Sequence, residues 1–111
     1  MNDCIFCKIA RGEIPSSKVY EDEKILVFND IEPQAPVHML VIPKKHFDNV
    51  TECDNETLCA MFDAMRTAVR NTGIDKDGFR CVMNTGENGG QSVNHIHMHV
   101  LGGRSLQWPP G

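Results

Sequence analysis

The spacing of apolar residues divides the chain into segments of strand and of helix character. Short apolar runs at 18–21 and 24–28, separated by a polar turn at Asp22 and Glu23, predict a β-hairpin. The run 38–42 is apolar enough for a central strand, which Pro43 should end. A further strand is predicted near 79–84. The sequence therefore indicates short strands on both sides of a longer segment with a different period.

That longer segment, from about 54 to 72, has the period of an amphipathic helix. Asp54 is a suitable N-cap, and Gly73 is suited to end the helix. The apolar residues at helical spacing are Leu58, Met61, Phe62, Met65 and Val69. Because the helix stands between groups of strands, the order predicts an α+β fold with a mostly antiparallel sheet. We expect one domain over residues 1–111, with a C-terminal tail at 102–111.

Candidate chemistry is concentrated between residues 95 and 101, where His95, His97 and His99 stand at every second position. In an extended strand, these three imidazoles share one face while the apolar residues between them face a core. Imidazole suits proton transfer, metal ligation and nucleophilic attack near neutral pH. Two other interpretations are a polar outer face of a half-buried strand and a three-histidine metal site.

The pair Cys4 and Cys7 forms a Cys-x-x-Cys motif near the N-terminus. A redox dithiol is the weaker interpretation, because no strand precedes the pair as in thioredoxin-like motifs. A structural zinc site needs four ligands, so histidines would complete the set, with His46 and one residue of the triplet as candidates. A closed site of two cysteines and two histidines leaves the other triplet histidines free for a different task.

Composition narrows the classes of function. Charged residues make up 23% of the chain, the net charge is -4, and the two signs are mixed along the sequence. We therefore expect neither nucleic-acid binding nor membrane association. The first residues lack the pattern of a secretory signal, which favours a cytoplasmic protein with reduced cysteines. Trp108 is expected to pack on the domain or on a second subunit.

The segment 84–92 contains three glycines directly before the histidine triplet. Glycines allow backbone amides to approach an anion closely, so this loop could hold a phosphate. It is neither a Walker A loop nor a dinucleotide fingerprint. Together with the histidines and the hydroxyl of Ser92, it favours phosphoryl or nucleotidyl transfer, with His97 attacking phosphorus and His99 contacting the phosphate oxygens.

The run 95–101 resembles the His-φ-His-φ-His-φ-φ signature of the histidine triad (HIT) proteins, in which φ is apolar. Four more segments are similar to the nucleotide-binding branch of that family, called Hint: residues 30–36, 41–46, 89–93 and 108–111. The resemblance implies a HIT-like fold, with a five-stranded, mostly antiparallel sheet and one long and one short helix. It also implies a homodimer with a purine nucleotide site in each protomer.

The activity implied by the resemblance is that of a phosphoramidase, a hydrolase acting on P–N bonds. Its substrates are nucleoside 5'-phosphoramidates, such as adenosine 5'-monophosphoramidate or AMP linked to lysine. In the family the middle histidine of the triad, here His97, is the nucleophile and forms a nucleotidyl-histidine intermediate. Purine nucleoside monophosphates are the implied ligands. The expected location is the cytoplasm, with the nucleus also open in a eukaryote.

Roles for other residues follow from the same resemblance. His99 would contact the phosphate, Ser92 would donate a hydrogen bond near the leaving group, and Asn84 and Gly90 would belong to the phosphate pocket. Asp30 would hold the ribose hydroxyls. Apolar side chains would surround the base: Phe6, Ile9, Ile14 and Ile31.

Many family members that carry the N-terminal cysteines bind zinc through them, and the corresponding ligands here are Cys4, Cys7, His46 and His95. Members without the cysteines fold without metal, so a zinc ion would be structural and no cofactor would be needed for catalysis. Two other functions stay open at this point. One is a nucleotide-binding regulatory or scaffold protein with incidental catalysis, and the other is a transferase or dinucleoside polyphosphate hydrolase of a related branch.

Overall fold

A computed structural model describes residues 3–111, which form two α-helices and five β-strands. In chain order, the elements are α1 (Ile5–Ala10), β1 (Lys18–Glu21), β2 (Ile25–Asn29), β3 (Val37–Pro43), α2 (Asn55–Thr72), β4 (Phe79–Val82) and β5 (Met98–Gly102). All four strand pairs are antiparallel, in the order β1-β2-β3-β5-β4. The predicted α+β class, the five-stranded antiparallel sheet and the long and short helix are confirmed.

The two faces of the sheet are covered by different helices because side chains alternate along each strand. On one face, Val27, Val41 and Met98 belong to a core that also contains Met61 and Met65 of α2. On the other face lies a smaller core with Phe6 and Ile9 of α1; its strand residues are Leu26, Phe28, Leu40 and Ile42. The sheet thus separates a larger core from the side that carries the histidines.

Both ends of α2 follow the predicted chemistry. Asp54 is the N-cap, and its side chain accepts a hydrogen bond from the Thr57 amide at 2.7 Å. Gly73 adopts the left-handed conformation with φ of 80°, which a residue with a Cβ rarely takes. The α2 side chains buried against the sheet are Met61, Ala64, Met65, Ala68 and Val69.

The short helix α1 begins immediately after Cys4, whose sulfur accepts a hydrogen bond from the Cys7 amide at 3.4 Å. A helix of six residues is too short to be stable alone, so its stability comes from packing. Phe6, Cys7 and Ile9 are the buried residues that hold it on the sheet. As a result, the Cys-x-x-Cys motif lies next to the histidines.

Three expectations differ from the structure. Strand β5 begins only at Met98, so His95 and His97 precede it, and only His99 lies in the strand. Apolar and histidine side chains nevertheless continue to point to opposite sides before the strand begins. Ile96 packs in the larger core, and its amide donates to the Phe47 carbonyl at 2.7 Å. β4 ends at Val82 instead of 84.

The third difference concerns Trp108, which is 82% exposed and so does not pack on its own domain. The carbonyl of Gln107, the residue before it, accepts from Arg80 of β4 at 2.9 Å, and packing of Trp108 on a second subunit stays a prediction. Neither helix in the described part of the chain is long and apolar enough to cross a bilayer.

Candidate functional site

The predicted catalytic residues line a cavity of about 250 Å³ between α1 and the segment that follows β2. Seven predicted residues meet there: Phe6, Ile9, Asp30, Ile31, Ser92, His97 and His99. The cavity is also lined by residues that were not predicted: Ile5, Phe28, Glu32 and Leu40. Apolar side chains therefore form most of the lining, while the two histidines, Asp30, Glu32 and Ser92 supply the polar groups.

Three predicted residues lie outside this lining. Ile14 is partly buried against the smaller core. Asn84 follows β4 and is half-buried, and Gly90 is exposed with φ of 76°. The structure therefore gives Ile14 a packing position, and it leaves the phosphate roles of Asn84 and Gly90 as predictions.

The buried ring of His97 is held by the backbone of the same segment. Its Nδ1 lies 2.8 Å from the His95 carbonyl oxygen, and a carbonyl oxygen can only accept. The proton of neutral His97 is therefore on Nδ1, and Nε2 carries the lone pair. A nitrogen with a lone pair is the form that attacks an electrophile.

His99 has the opposite tautomer, and the cause is His38, a buried histidine of β3 that sequence reasoning missed. The Gln34 amide donates to His38 Nδ1 at 3.0 Å, so the proton of neutral His38 is on Nε2. That Nε2–H lies 2.9 Å from His99 Nδ1, which must accept. His99 therefore carries its own proton on Nε2, where it can donate to an anion. The ring of His97 thus offers a lone pair on Nε2, and the ring of His99 offers an N–H on Nε2.

Burial keeps His99 neutral, as this arrangement requires. Desolvation is the main cause that lowers the pKa of His99, and the nearby rings of His97 and His38 lower it further. The His97 and His99 ring centroids are 5.1 Å apart. A second proton on the His99 ring is disfavoured in this buried cluster. His99 is therefore in its neutral form, which donates from Nε2, near neutral pH.

Asp30 is oriented by the start of the segment that joins β2 to β3. One carboxylate oxygen accepts the Glu32 amide at 2.9 Å, and the other lies 3.4 Å from His38 Nε2. The Asp30 amide donates to the His38 carbonyl at 2.9 Å. Asp30 is therefore fixed at the cavity wall with its carboxylate partly open. Ile31, by contrast, is 94% exposed at the same wall.

The glycine-rich loop before the histidines is held by Gln91, whose part in the site the sequence did not indicate. The Gln91 side chain accepts from the Gly86 amide at 3.0 Å and donates to the Asp48 carbonyl at 2.6 Å. Gly89 packs so closely on the backbone of Thr85 that a Cβ at this position would overlap it. The loop is thus folded back on itself directly before Ser92.

A second group of polar residues gathers at the other end of the histidine segment: Cys4, Cys7, His46 and His95. His95 Nδ1 lies 3.3 Å from Cys4 Sγ, 3.5 Å from Cys7 Sγ and 3.2 Å from His46 Nδ1. Cys7 Sγ lies 3.3 Å from His46 Nδ1. A tetrahedral zinc ion would separate two nitrogen ligands by about 3.3 Å and a nitrogen from a sulfur by about 3.6 Å. The four residues fit such an ion.

The tautomers of the two histidines agree with metal binding. His95 Nε2 donates to the Pro43 carbonyl at 2.8 Å, and His46 Nε2 lies 2.9 Å from an Asp48 carboxylate oxygen. Both rings therefore present a lone pair on Nδ1 to the sulfurs, and the outer partners fix their orientation. Burial lowers the pKa of His95 to about 4, so this ligand is neutral.

Asp30, His38 and His99 also lie close enough together to be considered as metal ligands. The tautomers argue against this site. Because the Gln34 amide occupies His38 Nδ1, His38 Nε2 is a donor and has no lone pair for a metal. This cluster is therefore a hydrogen-bond network.

Comparison with known proteins places the fold and the motif in one family. The sequence model of the HIT domain matches residues 11–106, which include the whole histidine triplet. The chain belongs to the HIT domain family. The match begins after the cysteine pair, so Cys4 and Cys7 lie outside it.

Several proteins are similar to this HIT protein over nearly their whole length. An uncharacterized HIT-like protein of Synechococcus elongatus is 49% identical and covers 98% of this chain and 97% of its own. A 14 kDa zinc-binding protein of Zea mays is also 49% identical, over 96% of this chain and 87% of its own. A HIT family hydrolase from Legionella pneumophila is 46% identical with a TM-score of 0.94, covering 98% of this chain and 100% of its own.

In this HIT protein, Phe6 joins the two polar groups. Its ring centroid is 5.1 Å from that of His97 and 5.9 Å from that of His95. Phe6 lies between the two cysteines in sequence and lines the cavity. The helix that carries Cys7 and begins after Cys4 therefore also supplies part of the apolar lining.

His38 could have been found from its position in the sequence. It precedes Leu40 and Ile42 at alternate positions, so the three share the face of the sheet that carries His99. One polar residue on an otherwise apolar strand face needs a buried partner. That partner is His99, which pairs with Leu40 across the strands.

Proposed function

We propose that this HIT protein is a purine nucleoside phosphoramidase of the Hint branch, which hydrolyses nucleoside 5'-phosphoramidates. The observation that carries the proposal is the set of hydrogen-bond partners that assigns opposite tautomers to the two cavity histidines. His97 has a lone pair on Nε2 and His99 has a hydrogen on Nε2. Attack on phosphorus needs both a nucleophile and a donor to the phosphate oxygens that gain charge.

In the first step, His97 Nε2 attacks the α-phosphorus of the substrate. A P–N bond to His97 forms, and the P–N bond to the leaving group breaks. The leaving nitrogen keeps the electron pair, takes up a proton from solvent and departs as the amine, with the Ser92 hydroxyl hydrogen-bonded near it. The His99 N–H donates to a non-bridging phosphate oxygen. The result is a nucleotidyl-His97 intermediate.

In the second step, water attacks the same phosphorus. A P–O bond forms, the P–N bond to His97 breaks, and His97 regains its lone pair as the nucleoside monophosphate leaves. A proton from the attacking water passes to solvent. The Nδ1 hydrogen bond to the His95 carbonyl stabilises the positive charge that His97 carries in the intermediate. No metal or other cofactor takes part.

The walls of the cavity support a nucleoside as the substrate. Asp30 presents a fixed carboxylate that can accept two sugar hydroxyls. Phe6, Ile9 and Ile31 offer apolar surfaces for the flat face of a purine. Asn84 and Gly90 complete the phosphate pocket in this proposal, and Ile14 supports the base wall from behind.

We further propose that Cys4, Cys7, His46 and His95 bind one structural zinc ion. Two sulfur and two nitrogen donors form a closed set, which leaves no open position for a substrate. The ion would hold α1 and its apolar residues against the histidine segment. The zinc-binding name of the Zea mays relative supports this assignment.

The proposal includes a homodimeric, cytoplasmic protein with a single domain over residues 1–111. Trp108, a large apolar side chain that is 82% exposed, is the candidate for burial at the subunit contact. Nucleic acids and membranes are not among the proposed partners. Light scattering at several protein concentrations measures the subunit number.

Hydrolysis of a fluorogenic adenosine 5'-phosphoramidate tests the function, with a dinucleoside polyphosphate as the comparison substrate. We expect turnover of the phosphoramidate and formation of AMP, with the dinucleoside polyphosphate cleaved far more slowly. Preference for the dinucleoside polyphosphate would instead support the related branch. A folded protein that binds AMP without turning over either substrate would support a nucleotide-binding regulatory or scaffold protein.

A further inference from the structure

The segment between β2 and β3, residues 30–36, is held in place by the C-terminal tail. The Arg104 guanidinium donates to the Gln34 carbonyl from Nε at 3.1 Å and from a terminal nitrogen at 2.9 Å. Its other terminal nitrogen donates to the Ser105 carbonyl at 3.0 Å. All three donated bonds go to backbone carbonyls, so the guanidinium joins two segments of chain and not two side chains.

The residue before Arg104 brings the tail close to the same segment. Gly103 has φ of +92°, and a Cβ placed on it would lie 2.9 Å from Pro36 Cβ. Only glycine combines this backbone conformation with so close an approach. The tail and the segment 30–36 are thus in contact at two points, Pro36 and Gln34.

The contact at Gln34 continues into the catalytic site. The carbonyl of Gln34 accepts from Arg104, while its amide donates to His38 Nδ1 at 3.0 Å. His38 Nε2–H then donates to His99 Nδ1 at 2.9 Å, which fixes the proton of His99 on Nε2. A fixed Gln34 therefore sets the tautomer of both histidines.

We propose that Arg104 is a positioning residue for the reaction, acting through Gln34 and His38 on the N–H of His99. The inference rests on the proposed function for its kinetic consequence. Arg104 itself is exposed and lies outside the lining of the cavity. Without its guanidinium, residues 30–36 lose a charge-assisted anchor, and the Gln34 amide no longer stays on His38. His38 and His99 then exchange between tautomers, and the donor to the phosphate is present only part of the time.

The test compares Arg104→Gln and Arg104→Lys with Arg66→Gln as the matched control. Arg66 is an exposed arginine of α2 that pairs only with the nearby Asp63 in the described contacts. We expect Arg104→Gln to lower kcat about tenfold, with a smaller change in KM, since a hydrogen bond to a charged group is lost. Arg104→Lys should recover part of kcat because an ammonium can still donate to the Gln34 carbonyl. Arg66→Gln should behave as wild type.

Two NMR readouts test the proposal independently of turnover. Hydrogen exchange of the Gln34 amide should accelerate in Arg104→Gln, and long-range ¹H–¹⁵N spectra should show mixed tautomers for His38 and His99. If the wild type proved inactive, the proposed function would fail while these spectra still decided the role of Arg104. If the Gln34 amide of Arg104→Gln exchanged at the wild-type rate and His38 and His99 each kept one tautomer, the inference would be overturned. An equal loss of kcat in Arg66→Gln would also overturn it.

Discussion

The two ends of the segment from His95 to His99 use the same side chain for different tasks. At one end, His95 donates from Nε2 to the Pro43 carbonyl and turns Nδ1 towards two sulfurs. At the other end, His97 donates from Nδ1 and keeps its lone pair on Nε2. The residue type offers proton transfer, ligation or attack, and the backbone partner of each ring selects one of them.

The surroundings of the two ends differ in the same way. The end at His95 is closed, because soft donors face one point and His95 is fully buried. The end at His97 and His99 opens on a cavity with apolar walls. A closed donor set suits a structural ion, whereas an open cavity suits a substrate. We therefore predict that changes at His97 and His99 affect reactivity and that changes at His95 affect stability.

The largest expected effect is on reactivity, from His97→Ala. The variant lacks the nucleophile, so we expect hydrolysis of the phosphoramidate to fall by at least about a thousandfold. AMP affinity should change little because the base and ribose contacts remain. Steady-state kinetics and calorimetric titration with AMP measure the two quantities. Retention of most activity would show that another group attacks phosphorus.

Loss of the metal should have the next largest effect, on stability. Cys7→Ser, or prolonged treatment of the wild type with a chelator, should lower Tm by roughly 10 to 20 °C if zinc is bound. Elemental analysis of protein purified without chelator should give about one zinc per chain. The value of kcat below the new Tm should remain within about threefold, since the ion takes no part in the reaction.

Cys59→Ser is the control for this experiment, because Cys59 is an exposed cysteine outside the metal group. It should leave Tm and zinc content unchanged. Zinc-free wild type with the same Tm as the zinc-loaded protein would contradict the structural role of the four ligands.

Acid should destabilise the zinc-free protein through His95. Burial lowers the pKa of His95 from the ordinary 6.5 to about 4. As pH falls, His95 binds a proton in the unfolded chain before it does so in the folded protein. The free energy of unfolding is therefore highest above pH 6.5 and decreases between pH 6.5 and about 4. The lowered pKa corresponds to ~3 kcal/mol at most. Urea unfolding at several pH values measures the slope.

A His95→Gln variant, studied without metal, sharpens this test. It removes the titrating ring, so its stability should depend less on pH between 6.5 and 4 than that of the wild type. An identical slope in both proteins would assign the pH dependence to other groups.

The smallest effect is expected from Asp30→Asn, which keeps the shape of the side chain and removes its charge. An amide accepts sugar hydroxyls less strongly than a carboxylate, so KM should rise about tenfold while kcat changes by less than about threefold. A 2',3'-dideoxyadenosine phosphoramidate is the control, because it lacks the hydroxyls and should not distinguish the variant from wild type. A fall in kcat alone would place Asp30 in the chemical step.

Much of the fold was predictable because the local signals agree with the tertiary structure. Asp54 and Gly73 mark the ends of α2, and continuous apolar runs identify β2 and β3. The local pattern does not indicate helix α1, since its six residues depend on packing against the sheet. The extent of β5 was overestimated because alternation continues through His95 and His97 without strand pairing.

The candidate site was predictable to the extent that its residues form motifs. The triplet and the cysteine pair are regular in sequence, and the structure brings each predicted metal ligand into one group. His38 and Gln34 belong to no such motif, since their roles depend on contacts across strands and on a backbone amide. Residue patterns identify which side chains carry the chemistry, but the positions of their protons follow only from the folded chain.

The tautomers of His38, His97 and His99 decide whether His97 can attack phosphorus while His99 donates to the phosphate. A long-range ¹H–¹⁵N correlation spectrum of the wild-type protein at pH 8 distinguishes protonated from unprotonated ring nitrogens. We predict hydrogen on Nδ1 of His97 and on Nε2 of both His38 and His99. Hydrogen on Nε2 of His97 would remove the lone pair from the attacking atom and would contradict the assignment of His97 as the nucleophile.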